Sequence, residues 1–282
     1  MTEDSSPTIL TGGAGRLASS SAAWQWLVAD DYEAMSRAAA ERIACEVRRK
    51  PSALICLATG ASPRRTYELM VRQGRADVSL YALTRWMKLD EWGGLAMDDP
   101  GSCECYLRQT VLDPLDVPSA RYFGWNSQPD DPEAECLRVA TWLAADGPAD
   151  IQVLGLGENG HLGFNEPADV WSTGPHIARL TASSLRHAML GASRQKVRYG
   201  LTLGVEDILR CRMILLLVSG EHKARQLLRL ATQEISSRFP ASILRRHASV
   251  AVFCDRAAAS LLPPKIFATG DSASSTPPPT NS

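Results

Sequence analysis

The densest group of chemically capable side chains lies in the stretch LGLGENGHLGFNEP, residues 154–167. Its glycines have the spacing Gly-x-Gly-x-x-Gly, starting at Gly155, that dinucleotide-binding turns use. Such a turn requires a helix that begins at the glycines and an acidic residue about 20 positions later. Gly163 and Pro167 interrupt any helix, and residues 177–181 contain no carboxylate. The sequence therefore argues against a bound dinucleotide.

The glycines are followed instead by His161, with Asn165 and Glu166 close behind it. A histidine and a glutamate five residues apart on an irregular loop can converge, so that the carboxylate orients the imidazole for proton transfer. No metal site is expected, because the chain has five histidines and no His-x-x-x-His pair. A Gly-x-Ser-x-Gly elbow and a Gly-x-x-x-x-Gly-Lys-Ser/Thr phosphate loop are also missing. The stretch favours general acid-base chemistry.

Two further carboxylates, Asp90 and Glu91, follow an apolar segment that has the composition of a buried strand. Adjacent strand residues point to opposite faces, so we expect only one of the two to face a cleft. A carboxylate partly buried beside Trp92 would have a raised pKa and could act as a base toward a carbon acid. A solvated acidic turn is the alternative interpretation.

An anion site is indicated by Thr59, Gly60, Ala61, Ser62 and Pro63, which follow another apolar segment. Gly60 permits a tight turn, Ser62 can cap a helix and Pro63 suits the first helical position. The free backbone amides of a helix N-terminus attract anions. An ordinary helix cap is the alternative interpretation.

Lys223 also lies where a helix is expected to begin, after Ser219-Gly220-Glu221-His222. A cation in the first turn of a helix opposes the helix dipole unless an anion binds there too. Together with residues 59–62, Lys223 suggests a phosphate clamp. Taken alone it is as readily an exposed surface lysine.

Short apolar segments and helical stretches alternate along the chain, which predicts a mostly parallel sheet covered by helices on both faces, in one α/β domain. The first helix is expected over 32–49, ended by Pro51. The strands are expected at 53–58, 83–89, 151–156, 213–218 and 249–254, and the other helices at 64–73, 133–145 and 222–231.

Both ends of the chain are rich in small and polar residues, so we expect disorder over 1–21 and 269–282, with the folded domain at 22–268. The 282 residues are 45% hydrophobic and carry a formal net charge of -1, which gives no reason to expect nucleic acid or a membrane as partner. With no signal segment, no membrane-length apolar run and an odd number of cysteines, seven, a cytoplasmic protein is expected.

With these four loops identified, the sequence resembles the glucosamine-6-phosphate deaminase/isomerase family. The matching segments run in order from about Leu54 to Asp255: LATGASPRRTYELM, KLDEWGGL, VLGLGENGHLGFNEP, LTLGVEDIL and LLLVSGEHKA. The segments ICLATGASP, KLDEW, PGSCECYLRQ, RHAML and FPASIL are most similar to the galactosamine-6-phosphate isomerase (deaminating) branch.

This resemblance implies a Rossmann-like fold and a cofactor-independent conversion of a hexosamine 6-phosphate and water into a ketohexose 6-phosphate and ammonia. It makes Asp90 the base that moves the C2 proton toward C1 through an enol intermediate. His161, supported by Glu166, becomes the group that opens the pyranose ring. Residues 59–62 and Lys223 match phosphate-binding positions. The small-molecule phosphosugar is then the partner, while the C4 configuration of the sugar and the oligomeric state are left open; a homo-oligomer is compatible with the sequence.

The chain departs from the family pattern at three places. Asn159 stands where the best-known members have an aspartate; its amide can orient His161 but brings no negative charge. Arg186 lies one residue later than the family's phosphate-binding arginine. Asp169-Val170 replaces the Ser-Ser pair of allosteric members.

Two other functions fit the same loop layout. The first is a 6-phosphogluconolactonase-like hydrolase, a family that usually has Asp-Glu-Arg in place of Asp90-Glu91-Trp92 and lacks the Asn-Glu-Pro ending. The second is a non-catalytic sugar-phosphate sensor. The roughly 30 residues before the first helix are too short and acidic for a DNA-reading module, and a binder without activity would be expected to have lost Asp90 or His161.

Overall fold

The computed structural model describes residues 9–12 and 24–266. Strands and helices alternate along the described chain. The strands are β1 (Ile9–Gly12), β2 (Trp24–Ala29), β3 (Leu54–Leu57), β4 (Arg85–Lys88), β5 (Asp90–Gly93), β6 (Tyr122–Phe123), β7 (Ile151–Gly155), β8 (His176–Ala178), β9 (Tyr199–Thr202), β10 (Met213–Val218) and β11 (Val250–Asp255). The helices are α1 (Tyr32–Arg49), α2 (Ala61–Ala76), α3 (Cys103–Leu107), α4 (Pro132–Asp146), α5 (Val205–Arg210), α6 (Ala224–Thr232) and α7 (Arg256–Ala259).

Seven parallel strands form the main sheet in the order β2-β11-β10-β7-β3-β4-β6, and β1 adds an antiparallel strand beside β2. This confirms the predicted single α/β domain with a Rossmann-like, mostly parallel sheet. From β3 the chain continues to β4 and β6 in one direction, whereas β7, β10 and β11 extend the sheet in the other. The strand order therefore reverses between β3 and β7, and ligands of open parallel sheets bind beyond the carboxyl ends of the strands at such a point.

The core lies on both faces of the sheet because side chains alternate along each strand. In β3, Leu54 and Cys56 enter one buried apolar cluster with side chains of α4, α5 and α6. Ile55 and Leu57 enter the other cluster with side chains of α1, α2 and α3. All four are fully buried, which fixes the register of β3 and with it the loop that follows.

A second, three-stranded antiparallel sheet in the order β5-β9-β8 was not anticipated from the sequence. The chain leaves the main sheet after Lys88 and enters β5 at Asp90, which pairs with Thr202 of β9. Asp90 and Glu91 are both buried. The alternative interpretation of a solvated acidic turn is therefore wrong, because both side chains are buried where β5 pairs with β9.

The helices after the two candidate anion-binding loops begin at other residues than expected, α2 at Ala61 and not at 64, and α6 at Ala224 and not at 222. Helix α1 has the predicted bounds, and Asp31 caps it by accepting from the amide of Ala34 at 2.8 Å. Helix α2 begins at Ala61, its N-cap is Gly60 with φ of 123°, and no side chain caps it. Ser62 is thus inside the first turn and is not the cap, and Pro63 is the third helical residue.

Part of the predicted N-terminal disorder is also wrong, because Ile9–Gly12 forms β1 and pairs with β2 over Trp24–Leu27. The other residues predicted to be disordered, 1–8, 13–21 and 269–282, lie outside the described residues. Within the described chain, no helix combines the length and apolarity that crossing a membrane requires.

Candidate active site

The loops that follow β3, β4, β7 and β10 meet at the carboxyl edge of the main sheet. Ser62, after β3, lies with its hydroxyl 3.4 Å from that of Ser219, after β10. Thr59 donates to the sulfur of Cys103 at 3.4 Å. The loop after β7 approaches Asp90 so closely that a Cβ at Gly163 would lie 3.3 Å from Asp90 Oδ2. Phosphate-binding and acid-base candidates are thus brought to one edge.

Asn159 links His161 to Glu166 in this loop. Its side-chain oxygen lies 2.8 Å from His161 Nδ1 and accepts from the backbone amide of His161 at 3.1 Å. Its side-chain nitrogen donates to Glu166 Oε2 at 2.7 Å. An ionised carboxylate only accepts hydrogen bonds, so Glu166 fixes which way the amide points. The amide oxygen then requires a proton on His161 Nδ1 and leaves Nε2 with its lone pair.

The direct contact between His161 and Glu166 is longer, with 3.6 Å between Nδ1 and Oε2. The sequence predicts that the carboxylate orients the imidazole; the nearer partner of the ring is Asn159. The imidazole of His161 is therefore oriented by the hydrogen bond to the Asn159 side chain and by the charge of the Glu166 carboxylate.

Two hydroxyls on a separate loop hold the other oxygen of Glu166. Ser184 and Thr181 both donate to Oε1, the latter at 3.2 Å. Burial alone would raise the pKa of Glu166, but the contact with His161 and the hydrogen bonds from Ser184 and Asn159 outweigh it and lower the pKa to about 2. Glu166 is thus a fixed negative charge beside the histidine at neutral pH.

Asp90 is 6% exposed, and its Oδ1 has no hydrogen-bond partner within residues 24–266. Burial, with a further contribution from the charge of Glu91, raises the pKa of Asp90 to about 7, while Lys88 acts in the opposite direction. A carboxylate that lacks a hydrogen-bond partner and exchanges its proton near neutral pH is suited to serve as a general base.

Glu91 points away from this edge, as expected for the neighbour of Asp90 on a strand. Its carboxylate accepts backbone amides of Trp92 and Cys103, each at 2.8 Å, and it contacts Lys88 Nζ at 2.6 Å. Of the two adjacent carboxylates, Asp90 alone is oriented toward the loop that carries His161.

Lys223 ends a 3₁₀ turn, Glu221–Lys223, and is the N-cap of α6, which begins at Ala224 and not at the predicted residue 222, so the lysine lies just before the helix and not in its first turn. It is half-buried, and among the described residues it forms no ion pair within 4 Å. Burial lowers the pKa of Lys223, and the nearby charge of Glu158 partly opposes this effect. A partly desolvated ammonium without a close carboxylate is a suitable receptor for an anion.

Arg186 is exposed on the 3₁₀ turn Ser184–Arg186, and its guanidinium makes no hydrogen bond to the part of the chain that the structure describes. The structure does not bring it onto the phosphate loop, and its role stays a prediction. Its neighbour His187, missed by the sequence reasoning, lies against the Trp92 ring at a centroid distance of 6.0 Å.

Two of the three glycines of the opening motif lie against other side chains, Gly157 against His161 and Gly160 against Phe239. No helix follows them, and a Cβ at Gly157 would lie 2.4 Å from the ring of His161. A Cβ at Gly160 would lie 2.2 Å from Phe239, whereas at Gly155 nothing approaches within 4 Å. A larger side chain would therefore clash with a neighbouring ring at Gly157 and at Gly160.

Comparison with known proteins places these residues in a family context. The family model of glucosamine-6-phosphate isomerases/6-phosphogluconolactonase matches residues 30–253. A protein of Escherichia coli (strain K12) that carries the name putative deaminase AgaI is 42% identical over 78% of this chain and 87% of its own. Glucosamine-6-phosphate deaminase 1 of Bacillus subtilis (strain 168) is 38% identical over 82% of this chain and 97% of its own.

Solved structures show the same fold. A monomeric glucosamine-6-phosphate deaminase superposes with a TM-score of 0.78 at 35% identity, covering 84% of this chain and 99% of its own. The 6-phosphogluconolactonase of Trypanosoma brucei reaches 0.65 at 19% identity over 84% of this chain and 98% of its own, which is a likeness of fold alone. The chain therefore belongs to the glucosamine-6-phosphate isomerase/6-phosphogluconolactonase family.

Proposed function

We propose that the chain converts a 2-amino-2-deoxyhexose 6-phosphate, galacto or gluco at C4, and water into a ketohexose 6-phosphate and ammonia, without a cofactor. The net reaction is hydrolytic cleavage of a C–N bond coupled to aldose-ketose isomerisation. The observation that carries the proposal is the buried carboxylate of Asp90, whose Oδ1 has no partner among the described residues, against the loop that holds the oriented His161. The relatives named as glucosamine-6-phosphate deaminases support it.

The substrate phosphate is bound where α2 begins. Thr59, Gly60, Ala61 and Ser62 supply backbone amides and hydroxyls at the N-terminus of a 16-residue helix, where the helix dipole favours an anion. Lys223 completes the site from the opposite loop, because Ser219 in that loop lies next to Ser62. Arg186, on its exposed turn, remains a candidate for closing over the phosphate.

His161 then opens the pyranose ring. Its Nε2 takes the proton of the C1 hydroxyl and returns a proton to the ring oxygen, while Asn159 keeps Nδ1 protonated. The charge of the imidazolium that forms is stabilised by Glu166, whose Oε2 lies 3.6 Å from Nδ1. The open-chain aldehyde is the product of this step.

Asp90 moves the proton from C2 to C1. Removal of the C2 proton from the aldehyde gives an enol that bears the amino group at C2, and protonation at C1 converts it into an iminium at C2. Water adds to C2, and ammonia leaves with the C–N bond electrons to give the ketose. A base whose pKa lies near neutrality suits both halves of this transfer.

A lactonase-like hydrolase is the second candidate, because 6-phosphogluconolactonases share the fold. The two reactions are separated by assaying ammonia release from galactosamine 6-phosphate and glucosamine 6-phosphate beside hydrolysis of 6-phosphogluconolactone. Ammonia release from either amino sugar phosphate at a rate well above lactone hydrolysis supports the proposal. Lactone hydrolysis without ammonia release would establish the alternative.

Replacement of Ser184 by Ala tests the support of Glu166. The loss of this buried hydrogen bond removes one of the contacts that hold the carboxylate ionised and oriented. A hydrogen bond to a charged group contributes roughly 1.5–3 kcal/mol, so kcat/KM should fall by about 10- to 150-fold. Ser183→Ala is the matched control, because its hydroxyl contacts Glu158 instead. Equal effects of the two substitutions would contradict the assigned role of Ser184.

We also expect no activation by an N-acetylated sugar phosphate. Asp169 is exposed and forms an ion pair with Arg238, and Val170 is exposed as well, so an acidic and an apolar residue replace the hydroxyl pair of allosteric members. Substrate saturation curves recorded with and without N-acetylglucosamine 6-phosphate should superpose. A lower half-saturation concentration in its presence would show that this expectation is wrong.

The proposed setting is the cytoplasm, with a phosphosugar as the partner and no nucleic acid. All seven cysteines are unpaired, which fits a reducing compartment.

A further inference from the structure

Lys88 is fully buried at the end of β4, and the sequence reasoning gave it no role. Its ammonium lies 2.6 Å from Glu91 Oε2, 2.8 Å from Glu104 Oε2 and 3.3 Å from the backbone oxygen of Trp125. These contacts use all three donors of the ammonium. Burial alone would lower the pKa of Lys88, but Glu91 and Glu104 outweigh it and raise the pKa, so the side chain is charged.

Glu91 is the link between this ammonium and the candidate base. Besides Lys88, its carboxylate accepts the backbone amides of Trp92, Cys103 and Glu104 at 2.8–2.9 Å. The side chain thereby ties β5 to the start of α3. Because Asp90 is the preceding residue on β5, the position of its backbone depends on this anchor.

Burying a lysine and a glutamate is costly, and an apolar pair of similar volume would often stabilise a core as well or better. The cost calls for a role other than packing. Without a nearby cation, the buried Glu91 would place an uncompensated negative charge next to Asp90. The ammonium of Lys88 offsets that charge by direct contact with the Glu91 carboxylate.

We propose that Lys88 is a positioning residue for the reaction: its ammonium anchors Glu91 beneath β5 and offsets the negative charge that Glu91 adds beside Asp90. The proposal rests on the proposed function, in which Asp90 is the base that transfers the C2 proton. Without Lys88, Asp90 would retain its proton to higher pH and would be less available as a base.

The other titratable groups around Asp90 and Lys88 stay uncharged or lie behind Lys88. Burial raises the pKa of Cys56 in β3, Tyr67 in α2 and Cys103 in α3 well above their usual values. Glu104 in α3 carries charge but faces Lys88, the hydroxyl of Tyr122 in β6 and Arg108. The charged groups that act on Asp90 are therefore Glu91 and Lys88.

Three variants separate the electrostatic role of Lys88 from packing. Lys88→Met removes the cation at similar volume and leaves the buried Glu91 without a cation, whereas Glu104 keeps Arg108, so it is the variant most exposed to misfolding. The double variant Lys88→Met with Glu104→Gln removes one charge of each sign, and the glutamine keeps a partner in Tyr122. Glu104→Gln alone keeps the cation and disturbs the same core.

The measurements are the pH profile of kcat/KM for ammonia release and the titration of Asp90, followed by NMR of carboxyl-labelled aspartate and assigned with Asp90→Asn. In both Lys88→Met variants the acid limb of the profile and the Asp90 midpoint should rise by about one pH unit, the size expected for a unit charge at several ångströms in a medium of effective dielectric constant near 20. In Glu104→Gln alone neither should rise.

The outcomes are distinguishable. If the double variant folds and loses activity while the Asp90 midpoint stays at the wild-type value, Lys88 is only structural and the proposal is overturned. An equal rise in Glu104→Gln alone would overturn it as well. If the wild-type chain releases no ammonia, the proposed function fails, and the NMR titration still decides whether Lys88 controls the protonation of Asp90.

Discussion

Replacement of Asp90 by Asn is expected to abolish ammonia release while stabilising the folded chain. The amide cannot accept the C2 proton, and removal of a general base slows such reactions by about 10²- to 10⁴-fold. Asp90 is buried, and its Oδ1 is without a partner among residues 24–266, so the ionised form is held at a cost to the fold. Activity and stability should therefore change in opposite directions.

The sign of the stability effect follows from the pKa of Asp90, which folding raises from 3.8 to about 7. Below about pH 4 the group is protonated in both the folded and the unfolded chain and contributes nothing. Between about pH 4 and 7 the unfolded chain ionises first, so the folded state loses stability, by roughly 4 kcal/mol once the pH exceeds 7. Asparagine does not titrate and is free of this loss.

The measurement is the free energy of unfolding by chemical denaturation for wild type and Asp90→Asn at pH 5 and pH 8. The advantage of the variant should be larger at pH 8 by roughly 2–3 kcal/mol. This difference does not depend on how well the new amide packs, because that contribution is the same at both pH values. The control is Asp98→Asn, which makes the same change at an exposed carboxylate. A constant difference for Asp90→Asn would mean that Asp90 titrates normally.

Replacement of Glu166 by Gln is expected to remove most turnover on the cyclic substrate. The glutamine brings no charge to stabilise the imidazolium of His161, and its amide presents a donor where Asn159 and Ser184 now donate. A loss in kcat/KM of about 10²-fold or more follows from the general acid-base part of ring opening. The pKa of Glu166, about 2, means that the loss comes from a missing charge over the whole working pH range.

Steady-state kinetics on both hexosamine 6-phosphates check this expectation. Asp169→Asn is a suitable control, because it neutralises an exposed carboxylate in the same connecting segment, where Asp169 pairs with Arg238. Near-normal kcat/KM in Glu166→Gln would refute the role of Glu166, and an equal loss in Asp169→Asn would indicate a general disturbance of the segment.

The local sequence pattern predicts the main sheet well because each strand is a short apolar run between turns. Met213–Val218 has the predicted bounds, and so does the first helix. The convergence of the loops after β3, β4, β7 and β10 follows from parallel topology alone. The types of side chain in those loops then indicate their chemistry.

The small antiparallel sheet could not be predicted in this way. Its strand β5 pairs with β9, more than 100 residues later, and no periodicity in either segment marks that pairing. The burial of Lys88 is similarly hidden, since a lysine in a sequence is more often solvated. Its charge is explained by Glu91, three residues later, and by Glu104, 16 residues later, which the fold brings to 2.6 and 2.8 Å from its ammonium.

The most direct test of the account is the stoichiometry of the reaction. Wild type and Asp90→Asn are incubated with galactosamine 6-phosphate and with glucosamine 6-phosphate, and both ammonia and ketohexose 6-phosphate are quantified. The account predicts one ammonia per ketohexose 6-phosphate from at least one of the two sugars, and neither product from Asp90→Asn. Ammonia without ketose, ketose without ammonia, or full activity in Asp90→Asn would contradict it.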